Sequence, residues 1–211
     1  LHTAWCEVIE QDGLIAFKDQ QTPAIIKGVD YNYSNIINSE TIMCDGTMDF
    51  NNSYDNQNLA AIGIGMAEHI NSGVDLVQPL TLYAPKNRKV NLARPDANFT
   101  QTTFYNNGIF CVMQPKYDDN LVVMSIDLVR EAYQLTEDYV TSIEIKCADE
   151  KVKSIKKRFN NILSEKYIIL DQYEQQADFY RITKIEKWTT FMILCFIVMI
   201  AKSLLTFQSG S

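Results

Sequence analysis

The chain has 211 residues, 46% of them hydrophobic and 21% charged, with a net charge of −7. That length allows one large domain or two small ones with real cores, and that composition folds as a globular protein. The acidic balance argues against a phosphate-binding surface, so nucleic acid is not an expected partner.

The chain opens on Leu1, with no basic region followed by an apolar stretch, so no signal peptide is read there and Leu1 looks like a cut inside a longer protein. The first segment, TAWCEVIEQDGLIAFKDQQTPAIIKGVD, reads as two strands. The first has β-formers around an Asp-Gly turn signal at Asp12 and Gly13. The second begins near Pro23, a residue suited to the start or edge of a strand. YNYSNIINSE is a polar connector, and MCDGTMDFNNSYDNQN reads as loop.

LAAIGIGMAEHINSG begins as a small apolar strand and turns into a short helix at about Gly65, with Gly73 as its C-terminal cap. DLVQPLTLYAPK is a strand bent or bulged at Pro79. NRKVNLARPDANFTQT is polar and basic, and long enough to project. TFYNNGIFCVM is a strand with an Asn-Asn-Gly kink. Then a strand from Leu121 to Met124 leads to Ser125, the N-cap of a helix that runs to about Leu135.

DYVTSIEIKC alternates through Tyr139, Thr141, Ile143, Ile145 and Cys147, which predicts a strand with that face buried. EKVKSIKKRFNNILSEK spaces Val152, Ile155, Phe159, Ile162 and Leu163 as one face of a helix, opposite Lys and Arg. YIILD reads as a short buried strand. A helix from Gln172 to Ala201 would be roughly 45 Å long at 1.5 Å per residue. The strand order predicts an α+β fold with a discontinuous lobe, residues 1–42 plus 138–181, and an inserted β-rich subdomain, residues 43–137.

The apolar run from Phe191 to Ala201 is eleven residues, or about 16 Å of helix, roughly half a hydrocarbon core. Trp188 precedes it, with Arg181, Lys184 and Lys187 in the turns before. Tryptophan and basic residues at the end of an apolar helix are membrane-interface anchors, so Lys184, Lys187 and Trp188 are candidates for that role. Residues 182–207 are therefore expected to be a stalk and the first part of a transmembrane helix. Gln208–Ser211, in the ending TFQSGS, resemble a protease-site scar with a short linker.

No catalytic set emerges. His2 and His69 have no cluster of ligand spacing around them. GIGMAEH has neither the third glycine of a dinucleotide loop nor the Lys-Ser/Thr of a P-loop. The five cysteines, Cys6, Cys44, Cys111, Cys147 and Cys195, are dispersed and odd in number, which argues against a disulfide framework or a zinc site. No enzyme activity, cofactor or metal is expected.

Several stretches in order resemble the extracytoplasmic domain of FtsX-like ABC transporter permeases, especially the LolC/LolE lipoprotein-releasing and MacB branch. They are AIIKGVD, AIGIGMAEHINSGVDLVQPLTLYAP, TTFYNNGIFCV, DDNLVVMSIDLVREAYQL and the closing ADFYRITKIEKWTTFMILCFIVMIA. The resemblance implies a Porter-like lobe with an inserted Sabre-like lobe. It implies a non-catalytic permease in the bacterial inner membrane, with this domain on the periplasmic side. A separate cytoplasmic ABC ATPase would drive it, and a second permease subunit would complete a homo- or heterodimer. ATP hydrolysis would move the domain mechanically for lipoprotein release or efflux. By position, the family's hook loop, which recruits a periplasmic lipoprotein carrier, falls on PKNRKVNLARPDANFTQTTF, with Arg88, Lys89, Arg94, Pro95 and Phe99 as contact candidates. The alternative is a membrane-anchored extracytoplasmic binding module that needs no transport ATPase.

Overall fold

The computed structural model describes residues 4–50, 57–86, 98–163, 167–175, 193, 194 and 197. Contacts divide the chain into two units, Leu1–Cys147 and Ala148–Ser211. The class is mixed α+β, as the sequence predicts.

In the first unit, β1 (Ala4–Phe17) and β2 (Gln20–Val29) form an antiparallel hairpin, paired from Val8 with Val29 to Phe17 with Gln20. The turn expected at Asp12-Gly13 is absent. β1 runs through it, and the chain reverses at Lys18-Asp19, where Lys18 takes φ 52°. Gly13 instead permits a close approach. A Cβ there would lie 2.8 Å from both Leu82 Cδ1 and the Tyr133 hydroxyl. That hydroxyl donates to the Asp12 carbonyl at 2.9 Å.

The polar connector contains two single-turn helices, α1 (Tyr33–Ile36) and α2 (Ser39–Ile42). The expected loop after it opens with a short strand, β3 (Met43–Gly46), whose partner is distant in sequence. β4 (Leu59–Gly63) and α3 (Ile64–Ile70) follow, matching the predicted strand and short helix. The helix ends earlier than Gly73 suggests. Asn71 takes the left-handed position at φ 52°, a conformation asparagine tolerates, and the Ser72 N–H donates back to the Ala67 carbonyl at 2.9 Å.

β5 (Asp75–Pro85) and β6 (Phe99–Phe110) are long antiparallel partners. Both predicted irregularities are present. The β5 register shifts between Asp75 and Leu80, around Pro79, and β6 shifts at Asn106–Gly108 where it meets β4. After α4 (Pro115–Asp118) come β7 (Leu121–Ser125) and α5 (Ile126–Tyr133). Ser125 is the N-cap, as predicted, its hydroxyl accepting the Leu128 N–H at 3.3 Å.

These strands join β8 (Ser142–Lys146) in one sheet of order β2-β7-β4-β6-β5-β1-β8, with β3 added on β6. Because β1 also pairs with β2, the path from β2 to β1 closes on itself. The β2–β7 and β4–β6 pairs are parallel. β4 and β7 are buried on both faces. Ala60, Ile62, Val122 and Met124 join one core cluster with α3 and α5, while Ala61, Leu121 and Val123 join a second with Tyr33 and Phe110. The side-chain period of two explains the split.

β8 corrects one expectation. It is shorter than the alternating run, and the face predicted to be buried is the open one, with Ile143 57% exposed. Glu144, on the other face, is turned inward to Lys27. Alternation shows that two faces differ, not which one meets the core.

In the second unit, α6 (Asp149–Ile162) matches the predicted helix. Lys156 pairs with Glu174 and, at 3.6 Å, with Asp171. YIILD is not a buried strand: Ile168 is 84% exposed and the segment has no strand structure. A long helix is expected from Gln172; the described residues show α7 (Gln172–Gln175) there, and residues 176–192 lie outside the described residues. Ile193, Leu194 and Ile197 are helical and exposed. Among the described residues no helix is long and apolar enough to cross a membrane. Lys184, Lys187 and Trp188, expected as interface anchors of a transmembrane start, fall outside the described residues.

Candidate functional site

The β5–β6 hairpin carries the sequence-predicted contact loop. Its ladder runs from Leu80 with Phe104 to Pro85 with Phe99, and the Lys86 N–H donates to the Asn98 carbonyl at 2.8 Å just beyond. The backbone is therefore paired up to the mouth of the loop. Arg88, Lys89, Arg94 and Pro95 belong to residues 87–97, outside the described residues. Phe99 is described. It opens β6 at the base of the loop and is 40% exposed, so one predicted contact residue presents apolar surface at the hairpin end.

A polar seam missed in the sequence lies across β2, β1 and β8. Lys27, in the otherwise apolar AIIKGV, is buried with its ammonium 2.5 Å from Glu144 Oε1 and 3.9 Å from Glu10 Oε1. It also stands 5.1 Å from the centre of the Tyr33 ring. Burial opposes its charge, but Tyr33, Glu144 and Glu10 outweigh that and hold Lys27 above the ordinary lysine range. Burial pushes the Tyr33 hydroxyl up as well, so the phenol is neutral near pH 7 and the carboxylates supply the countercharge. The available signal was a lysine within an apolar strand, since a buried charge needs a partner. Glu144 could not be named as that partner, because it lies far along the chain.

Nearby, Arg130 on α5 reaches Glu7 on β1 at 3.0 Å and Asp127 at 3.4 Å. Burial, followed by the hydrogen bond with Asp30, pushes the Cys6 thiol up to about 12. These contacts join α5, β1, β2 and β8 by charge as well as by packing.

An open cavity of about 350 Å³ is lined by residues that include Asp30, Tyr33, Ser34, Thr47, Phe50 and Ser125. Its Asp30 carboxylate is engaged in the backbone, accepting the Glu7 N–H at 3.1 Å and the Asn32 N–H at 2.7 Å. It therefore works as a structural clamp between β1 and the end of β2.

The two glycines of GIGMAEH also have a packing role. A Cβ on Gly63 would come 2.3 Å from the Asp118 carbonyl oxygen, and one on Gly65 would come 2.0 Å from Asp119 Oδ1. The turn from β4 to α3 is pressed against α4, where the buried Asp118 carboxylate accepts the Val112 and Gln114 N–H groups at 2.8 and 2.9 Å. His69 is exposed on α3. Among the described residues, no group of three or more His, Cys, Asp or Glu could hold a metal ion.

The closed β path, the paired hairpin and the helices laid on the sheet define a fold shared with extracytoplasmic domains of ABC transporter permeases, and the resemblance seen in the sequence is borne out at that level. The solved structure that carries this is the extracellular domain of the noncanonic ABC-type transporter YknZ from Gram-positive bacteria. It matches with a TM-score of 0.51 at 12% identity, over 76% of this chain and 73% of that one. The periplasmic region of MacB from Actinobacillus actinomycetemcomitans also matches, with a TM-score of 0.47 at 11% identity, over 75% of this chain and 66% of that one. No family model matches the sequence, and no curated protein does.

Proposed function

We propose that this chain is the extracytoplasmic domain of an ABC transporter permease, a mechanical element that performs no chemistry itself. The observation that supports this most is the fold shared with the YknZ extracellular domain. In this proposal residues 1–42 and 138–181 form a Porter-like lobe, residues 43–137 an inserted Sabre-like lobe, and residues 182–207 a stalk entering the bacterial cytoplasmic membrane. A cytoplasmic ABC ATPase drives motion through the stalk, and a second permease subunit completes the dimer. The work done is lipoprotein release or efflux.

The polar seam suits such a role. β8 is the last strand before α6 and the stalk, so of the sheet's strands it is the first that a pull on that end of the chain reaches. Five residue pairs with β1 and the Lys27–Glu144 ion pair hold β8 against that pull. In the same proposal Arg88, Lys89, Arg94, Pro95 and Phe99 are the contact residues for a periplasmic lipoprotein carrier, in the loop that follows the paired strands of the β5–β6 hairpin.

Two measurements test this. The intact permease should co-purify with a cytoplasmic ABC ATPase, and failure to do so would refute the transporter role. A carrier pull-down should succeed with the wild type and be lost in Arg94→Glu and in the Pro95→Ala/Phe99→Ala double variant. Retained capture in both variants would refute the loop assignment while leaving the transporter role standing.

A further inference from the structure

α6 departs from the charge of the chain around it. The chain carries a net −7, yet α6 holds Lys151, Lys153, Lys156, Lys157 and Arg158 against only Asp149 and Glu150, which open its first turn. Acidic residues at that end suit the helix dipole, and the rest of the helix is basic. Lys151, Lys153, Lys157 and Arg158 are exposed, and among the described residues none of the four is in an ion pair.

The helix also has an apolar side. At about 100° per residue, Val152, Ile155, Phe159 and Ile162 share an arc of about 80°. Lys151 and Arg158 border this arc on one flank and Lys156 on the other, while Lys153 and Lys157 lie opposite. None of the four apolar residues is buried: Val152, Ile155 and Phe159 are half-buried, and Ile162 is 73% exposed. Further apolar surface adjoins them. Lys156 is tied to Asp171 and Glu174, which cap α7 reciprocally, Asp171 Oδ1 accepting the Glu174 N–H at 2.9 Å and Glu174 Oε2 the Asp171 N–H at 3.0 Å. Tyr167, Ile168 and Leu170, just before this cap, are all exposed.

A helix solvated all round has no use for an apolar arc, and a core helix buries it. An open apolar arc bordered by Lys and Arg suits a helix lying in a membrane interface. The arc enters the acyl boundary, and the long bordering side chains reach back to the headgroups. We propose that α6 docks on an anionic phospholipid surface, with Val152, Ile155, Phe159 and Ile162 toward the acyl chains and Lys151 and Arg158 on the phosphates. Charge selects this occupant, because the basic border attracts anionic headgroups and repels the same helix of a second copy. The next apolar element of the same unit suits lipid as well: in the run Phe191–Ala201, Ile193, Leu194 and Ile197 are helical and exposed. The proposal rests on the proposed stalk in the membrane, which keeps α6 near lipid, and it needs no ATPase.

The test uses the 211-residue chain with vesicles of phosphatidylcholine alone and of phosphatidylcholine with about one-third phosphatidylglycerol. Hydrogen exchange of the α6 amides is the readout, so attachment through the apolar run alone does not register. Protection is expected on the anionic vesicles and not on the neutral ones, and high salt should remove it. Lys151→Gln/Arg158→Gln should raise the lipid concentration for half-protection at least about tenfold, since each basic residue near the surface contributes roughly fivefold. Lys153→Gln/Lys157→Gln changes the net charge equally on the far side of the helix and should raise it less than about threefold. Glutamine has a helix propensity close to that of Lys and Arg, so both variants keep the helix. The proposal is overturned if α6 exchanges alike on the two vesicle types, the result expected were an acidic protein or a second copy the occupant. It is also overturned if the two double variants weaken docking equally, as diffuse charge attraction would. Attachment of the chain to both vesicle types with α6 unprotected would refute the docking and leave the transporter role standing.

Discussion

Replacing Glu144 with glutamine removes the closest counterion of a buried lysine while keeping its size. The Lys27 side chain is 11% exposed, and among the described residues the only other carboxylate within ion-pair distance is Glu10 at 3.9 Å. Breaking a fully buried pair from one side costs about 3–5 kcal/mol. Glu10 remains and part of the site is wet, so the expected loss is nearer ~2 kcal/mol. Lys27→Met removes the charge that needs compensation and fills the space with an apolar chain of similar length. It leaves Glu144, whose side chain is 30% exposed and can be hydrated in place. Its expected cost is below ~1 kcal/mol. The double variant should then match Lys27→Met, showing coupling as large as the Glu144→Gln cost itself, about 2 kcal/mol. Urea unfolding at neutral pH measures all three, with an unchanged m-value confirming that stability alone has shifted. If Lys27→Met costs as much as Glu144→Gln, the seam is not a buried charge held by its counterion. Amide exchange adds a local readout: protection in β8 should fall in Glu144→Gln more than in Lys27→Met.

Two further outcomes follow from particular contacts. Gly63→Ala drives a methyl into the Asp118 backbone and should cost about 2–3 kcal/mol, whereas Gly73→Ala, with nothing within 4 Å, should be near neutral. Equal thermal midpoints for the two variants would refute the close approach of β4–α3 and α4. Stability should also fall in alkali. Cys6 is raised from 9.0 to about 12, so between those values the unfolded thiol has lost its proton while the folded one keeps it. The unfolded state then binds fewer protons, and stability declines by up to ~1.4 kcal/mol per pH unit. Lys27, Tyr33 and Tyr133 are raised too and act with the same sign at higher pH. Cys6→Ser should flatten the decline that begins near pH 9, and an unchanged profile would remove Cys6 as its source.

Elements defined by local pattern were legible from the sequence. The Ser125 cap, the helix after it, the Pro79 irregularity and the Asn-Asn-Gly kink each have their cause within a few residues. Gly13 was misread because a glycine in a strand permits either a turn or a close neighbour, and that neighbour, Tyr133, is far along the chain. Phe99 could be placed as a candidate at a loop base, since the strands around the loop announce themselves. The Lys27 seam could not be assembled, because its parts come from three strands.

The sequence by itself determined the α+β class, most of the strands and helices, and an ordered series of motifs that led to the right fold. Those features depend on side-chain period, capping and turn chemistry, which act between near neighbours. Only the tertiary structure decided which face of β8 looks inward and that β1 closes the path by pairing with β2. Each of those depends on strand neighbours separated by long stretches of chain, and periodicity within one strand does not identify the strand it lies beside.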